Sequence, residues 1–202
     1  MKSNFKDLFD RVKLILLKPA EAWKKFSTEG KQKVLQAYVY PLLALSAIAD
    51  FIGRFFMLDS SIGTNKAIQI MLTNTASTVI SLFGGLFLAC LIIETLSSQV
   101  LQFDLKRESS LKLVGYGLTL TFLNYIVVSL IPDFRLILFL LQIYTIYILW
   151  EGVPVLLPIH SKKGNLLGKD LRLSITITLF FVILLAPMLV GILFSILTKL
   201  LN

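Results

Sequence analysis

Three carboxylates lie inside long apolar stretches of this sequence: Asp50, Glu94 and Glu151. A carboxylate at membrane depth is costly, so it pairs, reaches a headgroup, or serves an ion or proton path. Arg54 follows Asp50 by four residues and shares its helical face. The two read either as an ion pair near an interface, with Arg54 snorkelling outward, or as part of a path. Asn124 and Gln142 lie in later apolar stretches. At about 1.5 Å per residue they come to nearly the depth of Asp50, roughly 20 Å above the edge nearer the N-terminus. The three are expected to form one interhelical hydrogen-bonded cluster, each bond contributing about 0.6 kcal/mol. Glu94 and Glu151 form a second expected layer, roughly 6–10 Å inside the same edge. Lys112, Lys169 and Arg172 are expected near enough to pair with them.

Other chemistry has little to work with. His160 is the single histidine and sits beside Lys162 and Lys163. Cys90 is the single cysteine and reads as a small buried hydrophobe. No His/Cys cluster suits a metal. Gly115-Tyr116-Gly117 lacks the third glycine and the strand–turn–helix context of a nucleotide loop. No serine has partners for a triad. The expectation is a protein that is not an enzyme and uses no cofactor.

The elements that would hold the polar residues are five apolar runs. Of 202 residues 56% are hydrophobic and only 16% charged, against roughly 25% charged in soluble domains. Spans are expected at about 35–56, 74–98, 111–131, 134–157 and 174–197, each near the roughly 20 residues that cross the hydrocarbon. The fold class is therefore all-α and polytopic: five transmembrane helices in one domain over residues 34–202, preceded by an amphipathic basic segment over residues 1–33. Pro132-Asp133 makes spans three and four a tight hairpin. Pro41, Pro154 and Pro187 fall within spans, where neighbours satisfy the freed carbonyls. Ser77, Ser81, Gly85 and Ala89 form a small-residue stripe on span two, widened by Gly84, that suits close helix packing. Glu94 lies about half a turn from Gly85 in projection, so span two is expected to have protein on two sides.

Residues 4–17 carry apolar positions at helical spacing, with Lys2, Lys6, Asp10, Arg11 and Lys13 on the remainder. Such a basic amphipathic helix is expected to lie on the bilayer surface or to pack on protein. Pro19 and Glu21 suit the start of a second helix. Phe5, Phe9 and Trp23 are expected as interfacial anchors. Residues 1–13 do not read as a secretory signal, and the first span is expected to direct insertion. Sixteen Lys and Arg fall on the N-terminal side of the spans and four on the other. The positive-inside rule then puts the N-terminus in the cytoplasm and the C-terminus outside.

Three stretches carry a resemblance. Leu16-Leu17-Lys18-Pro19-Ala20-Glu21-Ala22-Trp23 resembles the pre-membrane motif of the Yip-domain family, a Leu-x-Pro-x-acid-x-aromatic pattern. Lys112-Leu113-Val114-Gly115-Tyr116-Gly117 resembles the start of that family's third span. Tyr144 through Pro154, with Tyr147, Leu149-Trp150-Glu151 and Gly152-Val153-Pro154, resembles the end of its fourth. Order and spacing agree over nearly the whole chain. Leu118-Thr119-Leu120-Thr121 stands where many members carry a proline. The resemblance implies five spans, no carried-over catalytic residues and a role in organising membrane. Eukaryotic members engage Rab-type GTPases and have a long N-terminal region with an Asp-Leu-Tyr-Gly-Pro motif. That motif is missing, which counts against GTPase binding here, and the short form resembles the bacterial branch, hence a bacterial cytoplasmic membrane.

A net charge of +8 is better explained by anionic lipid headgroups than by nucleic acid, because the basic residues flank the apolar runs. Self-association or other membrane proteins are the further expected partners. Two functions are carried forward: a membrane organiser or scaffold, and a small ion or solute transporter that uses the intramembrane acids.

Overall fold

The computed structural model describes residues 5–57, 63–99, 105–157 and 169–201, without the side chains of Lys169 and Leu201. His160, Lys162, Lys163 and the Lys169 side chain thus lie outside the described residues. Every regular element among the described residues is helical. Two short helices come first, α1 (Phe5–Leu17) and α2 (Pro19–Phe26). Pro19 opens α2 where an unpartnered N–H costs nothing, Glu21 sits in its first turn and Lys24 and Lys25 in its last, matching the helix dipole.

Five helices follow that are long and apolar enough to cross a membrane: Lys31–Met57, Thr64–Gln99, Arg107–Leu130, Pro132–Leu156 and Asp170–Leu200. The chain is an integral membrane protein of five alternating spans. The first is built from α3 (Lys31–Val34), a π-turn (Leu35–Val39) and α4 (Tyr40–Met57). Pro41 has no N–H to donate, and just before it the Tyr40 N–H reaches back five residues to the Leu35 carbonyl. The second span is α5 (Thr64–Gln99), which begins ten residues before the expected start, because the mixed run Thr64–Thr73 holds no glycine or proline to stop the helix. The third is α6 (Arg107–Gly117) and α7 (Thr119–Leu130), the fourth α8 (Arg135–Leu141) and α9 (Tyr144–Leu156), the fifth α10 (Lys169–Leu201).

Spans three and four are interrupted, at Leu118 and at Gln142–Ile143, where unbroken helices were expected. At the second break the Thr145 and Ile146 N–H groups bond three residues back, to the Gln142 and Ile143 carbonyls. This tightened turn leaves room beside it, and the side chains that fill that room are polar, as described below.

The core is densest toward the N-terminal side. Tyr116 stacks on Phe26 at 4.7 Å, lies 4.7 Å from Tyr38 and takes the edge of Trp23 at 5.8 Å between ring centres. Trp23 corrects an expectation. It is no interfacial anchor but fully buried, with its Nε1 donating to the Ile148 carbonyl at 2.7 Å. Pro19, Ala22, Trp23 and Phe26 share one face of α2, and that apolar face packs on α9. Gly152 allows the approach: a Cβ there would come within 2.5 Å of the Trp23 ring.

Small residues also join the spans elsewhere. Gly85 lies against the backbone of Pro187, where a Cβ would sit 2.5 Å from its Cα. Gly191 lies in the same way against Ser81. The Ser81–Gly85 part of the stripe on α5 therefore meets α10, within the chain. Gly53 sits against the Ser129 carbonyl, which draws α4 onto α7.

Candidate functional site

Two polar sites stand out, one at each end of the bundle. At the N-terminal end, α1 turns Leu8, Arg11 and Ile15 inward. Arg11 is 4% exposed. Its guanidinium forms a fork on Glu29, with Nη1 at 2.8 Å from Oε2 and Nη2 at 2.9 Å from Oε1, while Nε meets Asp7 at 2.9 Å. The Tyr116 hydroxyl donates to Glu29 at 2.8 Å and Lys33 adds a contact at 3.0 Å. The Arg11 guanidinium also lies 5.2 Å from the centre of the Phe26 ring. Burial alone would raise the Glu29 carboxyl, but the bonds from Arg11, Lys33 and Tyr116 outweigh it and hold it at about 2. Burial likewise opposes charge on Arg11, and Glu29 and Asp7 reverse that and raise it.

This clamp ties residues distant in sequence. Tyr144 adds to it by donating to the Leu16 carbonyl at 2.8 Å, and Lys112 by donating to the Ser27 carbonyl at 2.6 Å. The outer face of α1 is bare by contrast: Phe5 is 67% and Phe9 71% exposed, and Lys6 and Lys13 are exposed beside them. Beneath α1 an apolar groove of about 390 Å³ runs between α4 and α7, walled by Leu8, Val12, Leu45, Ala49 and Leu123 among others, with the exposed Phe9 at its lip.

At the far end, where the C-terminus lies, Asp50 is buried and pairs with Arg54 at 2.8 Å. It also accepts from Thr75 at 3.1 Å and from Ser129 at 3.5 Å. Asn124 donates to Gln142 at 2.7 Å and to the Leu138 carbonyl at 3.0 Å, and Gln142 donates to Thr121 at 2.9 Å. The expected cluster of three is thus two clusters. Asp50 is not bonded to Asn124 or Gln142 because α4 and α8 meet different faces of α7. The Asn124–Gln142 group sits at the break of span four, where Asn124 gives the Leu138 carbonyl a second donor beside the Gln142 N–H.

The acids on the N-terminal side separate as well. Glu94 accepts from Ser110 at 2.5 Å. Glu151 is half-buried on α9. The expected cations go elsewhere: Lys112 to Glu108 at 2.9 Å, and Arg172 to the Trp150 carbonyl while lying 4.0 Å over the Trp150 ring. Ser77 and Ala89 lie along α5 with Ser81 and Gly85, and Ser77 accepts from Ser81 through its carbonyl at 2.7 Å.

The N-terminal clamp was missed in the sequence, which placed Arg11 on the solvated face. Two signals were available: Asp7 four residues before Arg11, and the stripe Leu8–Arg11–Ile15 that a charge interrupts. Among the described residues no three His, Cys, Asp or Glu converge as a metal would require.

Comparison with known proteins gives one family. The family model described as Yip1 domain matches residues 13–169. No curated protein and no solved structure matches the chain.

Proposed function

We propose, from the premise that this chain belongs to the Yip1 domain family, that it organises membrane without catalysis, as a wedge in one leaflet. The observation that carries this reading is the two-faced α1. Its inner face is held by a buried ion pair, and its outer face presents Phe5 and Phe9 with Lys6 and Lys13. A helix of that kind inserts aromatics at the headgroup boundary and draws anionic lipid to its cations. The clamp stops it from lifting away, so the bundle is broadened on the N-terminal side alone. The lysine and arginine asymmetry makes that side cytoplasmic, with the C-terminus outside. Partners would be the bilayer and other membrane proteins, including further copies of this chain, rather than nucleic acid or a GTPase.

The transport reading has less behind it. The acids near the two ends are separated by fully buried Tyr38, Tyr116, Leu118, Phe122, Ile148, Leu149 and Ile183.

The test is reconstitution of the full chain into liposomes containing anionic lipid, with vesicle shape read by electron cryomicroscopy. The chain should shift vesicles toward smaller radii or tubules. Phe5→Ser with Phe9→Ser should abolish that shift without altering the fold, because both side chains are exposed. Equal remodelling by this variant, or none by the parent chain, refutes the wedge.

A further inference from the structure

We propose that the far end of the bundle holds a binding site for a phospholipid drawn from the leaflet on the C-terminal side. Three neighbouring cavities make the site, and Tyr125 lines all of them. The first, about 430 Å³, lies between α7, α8 and α10. Leu138, Phe139, Leu184 and Met188 form its walls, and Arg135 lines it too. The second, about 240 Å³, brings Arg135 together with Arg54, Asp50 and Ser129. The third, about 430 Å³, continues from Arg54 past Asn74 and Ser77 to Gly191 and Ser195 on α10. The first and third fall within the usual range for ligand sites, about 300–1,000 Å³, and the second adjoins both.

The charge and the shape point to one class of occupant. Two guanidiniums face one carboxylate, so the shared cavity is net positive. Arg54 and Arg135 are two of the four Lys and Arg residues on this side of the spans, and a planar guanidinium suits phosphate oxygens better than an ammonium does. The cavity beside them is apolar, as a fatty-acyl chain requires. It also faces the bilayer. Leu136, Ile137 and Leu140 of α8 are exposed, and α8 packs mainly on α7, so α8 and α10 face each other mainly across the cavity. A lipid can enter sideways between them, its phosphate between Arg54 and Arg135 and one chain against Leu138, Leu184 and Met188. At the deep end, Asn124 Oδ1 is shut off from solvent with no hydrogen-bond partner among the described residues.

The experiment uses the full chain, purified in detergent and stripped of lipid. Dioctanoyl phosphatidylglycerol is titrated and read by native mass spectrometry and by thermal unfolding. Dioctanoylglycerol supplies the chains without the phosphate, and inorganic phosphate the reverse. The site should take one phosphatidylglycerol per chain with a rise in Tm, and neither control should match it. Arg135→Gln, at an exposed residue, should keep the lipid-free Tm and bind about tenfold more weakly. Met188→Trp, which fills the apolar cavity from an exposed position, should weaken binding similarly. Unchanged affinity in Arg135→Gln, equal binding of dioctanoylglycerol, or an equal Tm rise with phosphate alone would each overturn the proposal.

Discussion

Arg11→Met tests whether the N-terminal helices are held by charge. The Arg11 and Glu29 side chains are 5% and 7% exposed, so removing one leaves the other charged and shut off from water. Breaking such a pair costs about 3–5 kcal/mol. Linkage gives a similar size. Glu29 falls from 4.5 to about 2, and at roughly 1.4 kcal/mol per pH unit that is about 3 kcal/mol. Lys33 and Tyr116 remain on Glu29 in the variant, which argues for the lower figure. A loss of about 3 kcal/mol raises transient undocking of α1 and α2 roughly a hundredfold. Hydrogen exchange over residues 5–26 in nanodiscs reads that opening, as does the rate of tryptic cleavage at Lys24 and Lys25. The decisive arm is the double variant, Arg11→Met with Glu29→Met. Replacing both members of a buried pair with apolar groups is often near neutral, so it should open less than either single variant. If Arg11→Met costs under about 0.5 kcal/mol, or if the double variant costs the sum of the singles, the clamp is not a coupled buried pair and the reasoning fails.

Three further outcomes follow from the same structure. The Glu29 carboxyl is depressed when folded, so its stabilisation is fully present above 4.5 and is lost as pH falls through about 2; exchange protection of α1 and α2 should be level from pH 7 to 5 and fall below that, and Glu29→Gln should flatten the dependence. Trp150→Phe leaves Trp23 as the single tryptophan, and its emission should be blue-shifted and little quenched by brominated lipid or iodide; strong quenching by the lipid would return Trp23 to the interface. Gly85→Ala sets a Cβ against the Pro187 backbone and should lower stability by about 1–3 kcal/mol, whereas Gly30→Ala, with open space around it, should not; thermal unfolding in detergent compares the two.

The five spans were legible because hydrocarbon thickness imposes a length and a composition that few other structures share. The rotation of each helix was not. Asn124 does lie on α7, and Asp50 and Gln142 in spans that meet it, but similar depth does not mean a shared face, and the true neighbours of Asp50 are Thr75 and Ser129. Trp23 beside Lys24 and Lys25 has the composition of an interfacial anchor. Only the spacing of Pro19, Ala22 and Phe26 marks its face as one that protein covers. The breaks in spans three and four, at Leu118 and Gln142–Ile143, carry no proline to read. Arg11 was hidden by its charge, because a buried arginine depends on an acid eighteen residues away and a tyrosine a hundred and five away.

Those separations have a consequence during synthesis. Arg11 and Glu29 leave the ribosome early, but Tyr116 follows Glu29 by 87 residues and Ile148 follows Trp23 by 125. At 5–20 residues per second the wait is on the order of 5–25 s. Throughout it the nascent N-terminal segment has a Glu29 without its tyrosine, a bare indole and no third span to rest on. The membrane surface or a chaperone must shelter it, and the beginning of the chain joins its middle only after span four has been made.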